Sequence, residues 1–175
     1  MGLTNAFLIW WLGGARYRWS RLRRRLFEGR YLKTKLPAVE SLAEIEACLK
    51  QVTWTGDGFW HLYDSISYPQ TVWAGKKDDC DGFSILASEL LRRWNPDTNP
   101  ALVTAIVRPV KFSHTVCAFR HDGALLFLDN DSLRRGDFKD YGDVVNRFAR
   151  REGRTIVCWD VVNPDTLETL EFHSV

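Results

Sequence analysis

The apolar residues of this chain change their spacing near residue 95, and the change separates a helical half from a strand half. Between Phe83 and Trp94 they recur at intervals of three and four residues, which is the spacing of one helix face. This stripe predicts a helix from about residue 80 to 94. Asn95-Pro96 ends it, because the residue before a proline is disfavoured in helical conformation.

Beyond this helix the apolar residues alternate with polar ones and are rich in Val, Ile, Phe and Leu, as in half-buried strands. Four strands are predicted: Leu102 to Val107, Phe112 to Phe119, Ala124 to Leu128 and Thr155 to Val161. A surface helix from Asp137 to Arg150 separates the third from the fourth. Helices followed by strands indicate an α+β fold with an antiparallel sheet of about four strands.

Two further helices are predicted before residue 80. Ser41 and Glu44 resemble a capping box, and the apolar spacing from Leu42 to Val52 continues it as a helix of about twelve residues. A short aromatic helix is expected from Phe59 to Ile66.

Positive charge is concentrated at the start of the chain. Residues 1–36 contain nine Lys and Arg against the single acidic residue Glu28. We therefore divide the chain into a basic amphipathic arm, 1–36, and a domain, 37–175. If Tyr17, Leu22 and Leu26 share one face, the arm could dock on an anionic membrane surface, bind nucleic acid or pack on its own domain.

Length and composition restrict the possible classes of protein but do not indicate a function. A chain of 175 residues with 45% hydrophobic residues fits one compact domain with its own core. Its four cysteines have neither metal-type nor disulfide-framework spacing. The apolar run from Ala6 to Leu12 is too short to span a bilayer, and it lacks the flanks of a secretory signal. We expect a cytoplasmic protein, membrane-associated or phage-encoded.

Cys80 is the candidate nucleophile because it lies in the first turn of the predicted helix, where unpaired N–H groups favour a thiolate. The neighbouring aspartates raise a thiol pKa, so a cationic partner is needed. His114, in the second predicted strand, is the candidate base. A Cys80 paired with His114 is expected to react with alkylating agents well below pH 8.

A hairpin at Asp122-Gly123 predicts which residue orients His114. With these two residues as the loop, His114 shares a face with Asp129 and Asp131, and Asp129 lies diagonally across the pair. A slip of one residue would favour Asn130 instead. For the oxyanion hole, the N–H of Cys80 is the natural first donor, with Gln70 or Trp73 from the preceding loop as the second.

Three segments together resemble a known family: Asp78-Asp79-Cys80-Asp81-Gly82-Phe83, His114-Thr115-Val116 and Phe127-Leu128-Asp129-Asn130. Their order and spacing are similar to the papain-like, transglutaminase-like fold, and most of all to the bacterial transglutaminase-like cysteine peptidases. The resemblance implies a catalytic triad of Cys80, His114 and Asp129. Family members often carry an acidic residue where this chain has Gly82, and we expect neither a metal ion nor a cofactor.

The resulting hypothesis is a hydrolase or acyltransferase that acts on amides of a protein or peptide substrate. Glutamine deamidation and amine crosslinking share its steps, so the sequence does not separate them from peptide hydrolysis, which is the default. The alternative is a non-catalytic binding module that uses its basic arm to dock on a membrane or on nucleic acid.

Overall fold

The computed structural model describes residues 6–7, 10–31, 33–56 and 66–175. The described helices are α1 (Arg16–Tyr31), α2 (Leu42–Leu49), α3 (Pro69–Gly75), α4 (Cys80–Trp94) and α5 (Tyr141–Ala149). The described strands are β1 (Thr53–Trp54), β2 (Lys77–Asp78), β3 (Ala101–Arg108), β4 (His114–His121), β5 (Ala124–Asp129), β6 (Ser132–Phe138), β7 (Thr155–Val162) and β8 (Thr169–Ser174). The helix predicted from Phe59 to Ile66 lies, apart from Ile66, outside the described residues.

The predicted α+β class is confirmed, and the sheet is larger than expected. Six antiparallel strands are arranged in the order β6-β5-β4-β3-β7-β8, and β1 pairs with β2 in a separate parallel bridge. The four predicted strands correspond to β3, β4, β5 and β7. The prediction missed β6 and β8, the two edge strands, because their mostly exposed residues lack the alternation that a buried face imposes.

Helices cover both faces of the sheet and give it two cores. On one face, Phe83 and Leu90 of α4 belong to the same buried cluster as Cys117 of β4. On the other face, Val116 of β4 packs in a cluster with Phe148 of α5. Because side chains alternate along a strand, β4 contributes to both cores. His114, at the first position of β4, therefore lies at the rim of the sheet.

The predicted hairpin is confirmed in its register. His121 pairs with Ala124 and Phe119 with Leu126, as a loop of Asp122 and Gly123 requires. Both loop residues have positive φ, 50° and 77°, which is the backbone of the two-residue turn that matches strand twist.

Three element boundaries differ from the prediction. Helix α2 ends at Leu49 rather than continuing to Val52, although Val52 remains buried. The predicted second strand starts two residues late, at His114, because Val110–Phe112 forms a 3-10 turn. Helix α5 begins only at Tyr141, where Asp140 caps it, because the chain before it completes β6.

Helix α1 packs on the domain through polar contacts rather than through the predicted apolar face. Tyr17 is buried, but Leu22 and Leu26 are exposed, so the expected face of these three residues is wrong. In a helix of 3.6 residues per turn, the residues five and nine positions after Tyr17 lie on roughly the opposite side of the helix. The packed side instead buries Arg16, Tyr17 and Ser20, and the Ser20 hydroxyl accepts a hydrogen bond from the N–H of Ile66 at 3.0 Å. Within the described ranges, no helix has the length and apolarity to cross a membrane.

Candidate active site

Cys80 is the first residue of α4, and the residues around it fix the start of that helix. Asp79 is the N-cap, and its carboxylate accepts hydrogen bonds from the N–H groups of Asp81 at 3.0 Å and Gly82 at 3.4 Å. The cap does not use the N–H of Cys80. Gly82 is required by close packing, since a Cβ there would lie 2.2 Å from the Asp78 side chain.

The hydroxyl of Ser84 connects the start of α4 to β4. Its Oγ lies 2.8 Å from the carbonyl oxygen of Cys80 and 3.2 Å from that of Thr115, one residue after His114. This contact holds the first turn of α4, and with it Cys80, next to the start of β4. Cys80 and His114 therefore lie at the same end of the sheet.

His114 and Asp129 are joined by a hydrogen bond of 2.7 Å between Nε2 and Oδ1. An ionised carboxylate only accepts, so Nε2 carries the hydrogen and Nδ1 keeps its lone pair. The edge of the imidazole packs on Phe148, with ring centroids 5.8 Å apart. Burial by itself raises the pKa of Asp129, but the hydrogen bond and charge of His114, together with the charges of Arg134 and Arg151, outweigh it and lower that pKa.

Cys80, His114 and Asp129 line one cleft of about 320 Å³. The walls also carry two aromatic side chains, Trp54 and Phe112. In the part of the chain that the structure describes, no hydrogen bond joins the Cys80 sulfur to the His114 ring. Such bonds in empty active sites are often long and tighten only when substrate binds.

The chain is similar to a solved structure, Legionella pneumophila LapG (EGTA-treated). The two share 15% sequence identity at a TM-score of 0.48, over 81% of this chain and 74% of that one. No family model matches the sequence, and no curated protein matches it. Identity this low transfers no residue role, since one fold can carry many functions.

Arg16 of α1 enters this cleft and pairs with Asp81, the residue after the candidate nucleophile. Both side chains are buried, and the guanidinium Nη2 contacts the carboxylate Oδ2. Next to this pair, the Tyr17 hydroxyl donates to Asp160 of β7 at 2.7 Å. Burial raises the pKa of Asp160 to about 7, against the opposing effect of this hydrogen bond. The buried guanidinium of Arg16 places a fixed positive charge near Cys80.

The surroundings of Cys80 favour its neutral thiol. Burial raises the pKa of this thiol well above its ordinary value, and the negative charges of Asp81 and Asp79 raise it further. The backbone of Thr115 and the charge of Arg16 act in the opposite direction without reversing the shift. This direction runs against the expectation of high thiol reactivity well below pH 8, because it disfavours a resting thiolate.

A pH profile of alkylation is expected to show this raised pKa directly. Because only the thiolate reacts, iodoacetamide labelling of Cys80 should increase about tenfold per pH unit and still be increasing above pH 9. Mass spectrometry of the tryptic peptide 78–92 measures it, since that peptide contains no other cysteine. Free glutathione supplies the reference profile, and a plateau below pH 8 would contradict the expectation.

The other predicted site residues occupy different places. Asn130 lines the cleft, in a left-handed turn conformation with φ of 52°, and its Oδ1 makes no hydrogen bond among the described residues. Asp131 accepts from the hydroxyl of Ser132 at 2.9 Å. Neither bonds His114. Gln70 and Trp73 lie on α3, and the described lining of the cleft contains neither of them.

Arg16 and Trp54 are two of the cleft residues that the sequence analysis did not predict to lie there. Arg16 is 65 residues from Asp81 in the sequence, and no local pattern connects them. Trp54 reaches the site because β1 pairs with β2, which places it opposite Asp78, two residues before the candidate nucleophile. A strand pair of two residues carries no periodic signal, so this contact could not be predicted.

Proposed function

We propose that this protein is a cysteine-nucleophile amidase whose triad is Cys80, His114 and Asp129, and that peptide hydrolysis is its reaction. The observation that supports this most is a cleft lined by all three side chains, in which a 2.7 Å hydrogen bond fixes the tautomer of His114. A carboxylate on Nε2 leaves Nδ1 as the basic nitrogen. That is the arrangement a thiol needs when it must lose its proton during attack.

The first half of the reaction forms a thioester. His114 accepts the thiol proton while the Cys80 sulfur attacks the amide carbonyl, and negative charge develops on the carbonyl oxygen. The protonated imidazole then gives this proton to the leaving amine, and the carbon–nitrogen bond breaks. Asp129 stabilises the positive charge on the ring while it lasts. This route does not require a resting thiolate, which agrees with the raised pKa of Cys80.

The second half releases the acid. His114 takes a proton from water, the resulting hydroxide attacks the thioester, and the sulfur leaves and regains its proton. An amine in place of water would give transfer instead of hydrolysis. For the developing oxyanion, the N–H of Cys80 is available because the Asp79 cap uses the next two. We assign the second donor to the indole N–H of Trp54, which lines the same cleft.

The mouth of the cleft suggests which peptides fit. Lys111, Arg151 and Arg154 line it, and Arg154 stacks on the ring of Phe112 at 4.3 Å. None of these three cations forms an ion pair with a described carboxylate. The aspartates of the cleft have other partners: Asp81 pairs with Arg16, Asp79 caps α4, and Asp129 bonds His114 and lies 3.7 Å from Arg134. Unpaired cations beside exposed aromatic rings favour substrates with acidic side chains near the scissile amide.

A thiol-directed probe tests this function. We expect a mixed library of peptidyl vinyl sulfones to form an adduct on Cys80, found in tryptic peptide 78–92. His114→Ala should slow the labelling about 10²- to 10⁴-fold, because no other group takes the thiol proton.

The matched control is His121→Ala, at the opposite end of the same strand, where the ring packs on Trp94. It should label like the wild type. Equal labelling of the His114→Ala protein, or an adduct mainly on another cysteine, would reject the triad. A binding module that does not use Cys80 is the rival hypothesis, and it predicts no adduct at all.

A further inference from the structure

Helix α1 presents an apolar stripe to solvent on the side opposite its contacts with the domain. Trp19, Leu22 and Leu26 are 56%, 48% and 66% exposed, and their spacing of three and four residues places them on one helix face. Exposed Arg18 and Arg25 flank this stripe. We call these five residues the outer face of α1.

The apolar surface continues beyond α1 into the π-helical segment Trp11–Ala15 and the residues just before it. Trp10 is 62% exposed, and it lines a shallow cleft with Trp19, Leu22 and Arg18. Phe7 lies against Trp10, with ring centroids 5.9 Å apart. Of the ten exposed large hydrophobic side chains in the described chain, five belong to residues 7–26. A cluster of this kind indicates an interaction site.

The inner side of α1 is held by hydrogen bonds that fix the direction of the outer face. Arg21 donates to the carbonyl of Leu167 at 2.9 Å, and Arg24 donates to the carbonyls of Pro164 and Ser67 at 3.2 and 3.0 Å. Tyr17 and Ser20 are buried beneath the helix. The outer face therefore cannot turn inward without breaking these contacts.

We propose that the outer face of α1 docks on an anionic lipid surface. Trp and Leu beside Arg are the composition of helices that lie in the headgroup region, where the apolar side chains enter the acyl boundary and the guanidinium groups meet phosphate. The first 27 residues of the sequence contain no acidic residue, so no carboxylate within them repels an anionic surface. Nucleic acid would use the arginines and the tryptophans but would leave Leu22 and Leu26 in water.

The consequence for the protein is location. Arg16, in the first turn of the same helix, lines the cleft with Cys80. Docking through α1 therefore holds that cleft near the lipid surface, where substrates would be segments of membrane-bound proteins. This proposal does not depend on the chemistry of Cys80, because docking uses none of the three triad residues.

Co-sedimentation of the full chain with vesicles tests the proposal. We expect it to sediment with phosphatidylcholine vesicles containing 30% phosphatidylserine, less with phosphatidylcholine alone, and less as salt increases. Arg18→Gln with Arg25→Gln should weaken binding about fivefold per arginine. Leu22→Gln with Leu26→Gln should weaken it at least as much, because both side chains are then too polar for the acyl boundary.

Matched controls use exposed residues that are not part of the outer face of α1. Leu170→Gln and Arg135→Gln change the same residue types on the edge strands β8 and β6 and should sediment like the wild type. The proposal is overturned if the protein stays in the supernatant, or if the α1 variants bind as the wild type does. Binding only to a DNA or RNA duplex would assign the face to nucleic acid. A dimer that the two leucine changes dissociate, measured by light scattering, would assign it to a second copy.

Discussion

Replacing Cys80 with alanine is expected to lower amide turnover by about 10⁵- to 10⁶-fold, leaving only the contribution of binding and of the oxyanion hole. In the proposed mechanism the loss is this large because the nucleophile, its base and its orienting carboxylate act as a unit. The measurement is turnover of the fastest fluorogenic peptide amide found for the wild type.

Cys48→Ala is the matched control for this prediction. Cys48 is a buried cysteine of α2, in the core that α4 forms with one face of the sheet, and burial raises the pKa of its thiol. Its replacement should leave turnover within about twofold and lower the free energy of unfolding by about 1 kcal/mol through a small cavity. If the Cys80→Ala protein is folded by circular dichroism and retains turnover, the proposed mechanism is wrong.

Replacing Arg16 with methionine is expected to lower the free energy of unfolding by about 3–5 kcal/mol, because it leaves the buried Asp81 carboxylate without a counter-charge. Burial by itself raises the pKa of Asp81, and the charge and hydrogen bond of Arg16 are the largest effects that keep it low. Without Arg16, Asp81 should bind a proton at higher pH. The urea midpoint, measured from pH 5 to 8, gives the loss.

The sign of the pH dependence follows from the lowered pKa of Asp81. The pair contributes stability above the pKa that Asp81 has in the unfolded chain, and the wild type loses it only as pH falls through the lowered value. Arg16→Met should therefore be most destabilised near pH 8 and less so near pH 5. Arg18→Met, at an exposed position of the same helix, should change stability by less than about 0.5 kcal/mol.

A double variant separates loss of the pair from loss of packing. Arg16→Met with Asp81→Leu removes both charges and should recover most of the stability that the single change loses. The recovered protein also tests the electrostatic effect on the thiol, since Arg16 lowers the pKa of Cys80 while Asp81 raises it. If Arg16→Met alone has wild-type stability, the Asp81 carboxylate does not depend on Arg16 for its counter-charge.

The local parts of the fold could be predicted because their signals are local. Asp122-Gly123 defines a two-residue turn, and with it the register that brings His114 and Asp129 to the same end of the hairpin. The stripe from Phe83 to Trp94 similarly defines α4, including its first residue, Cys80. Both features depend on a few consecutive residues whose backbone preferences are strong.

The contacts that could not be predicted join distant segments. Arg16 and Asp81, or Trp54 and Asp78, meet only because several elements pack together, and nothing in either short stretch indicates its partner. The turn at Asn130 shows a related limit. Alternation predicts that its side chain points away from the site, but a left-handed residue breaks the alternation and places it in the cleft.

The hydrogen bond between Tyr17 and Asp160 connects the first described helix to one of the last strands. During synthesis, Asp160 leaves the ribosome more than 140 residues after Tyr17. Before that point the nascent chain cannot form the hydrogen bond that holds the start of α1, and with it Arg16, against the sheet beside Cys80. The cleft around Cys80 therefore takes its final form only after β7 has been synthesised.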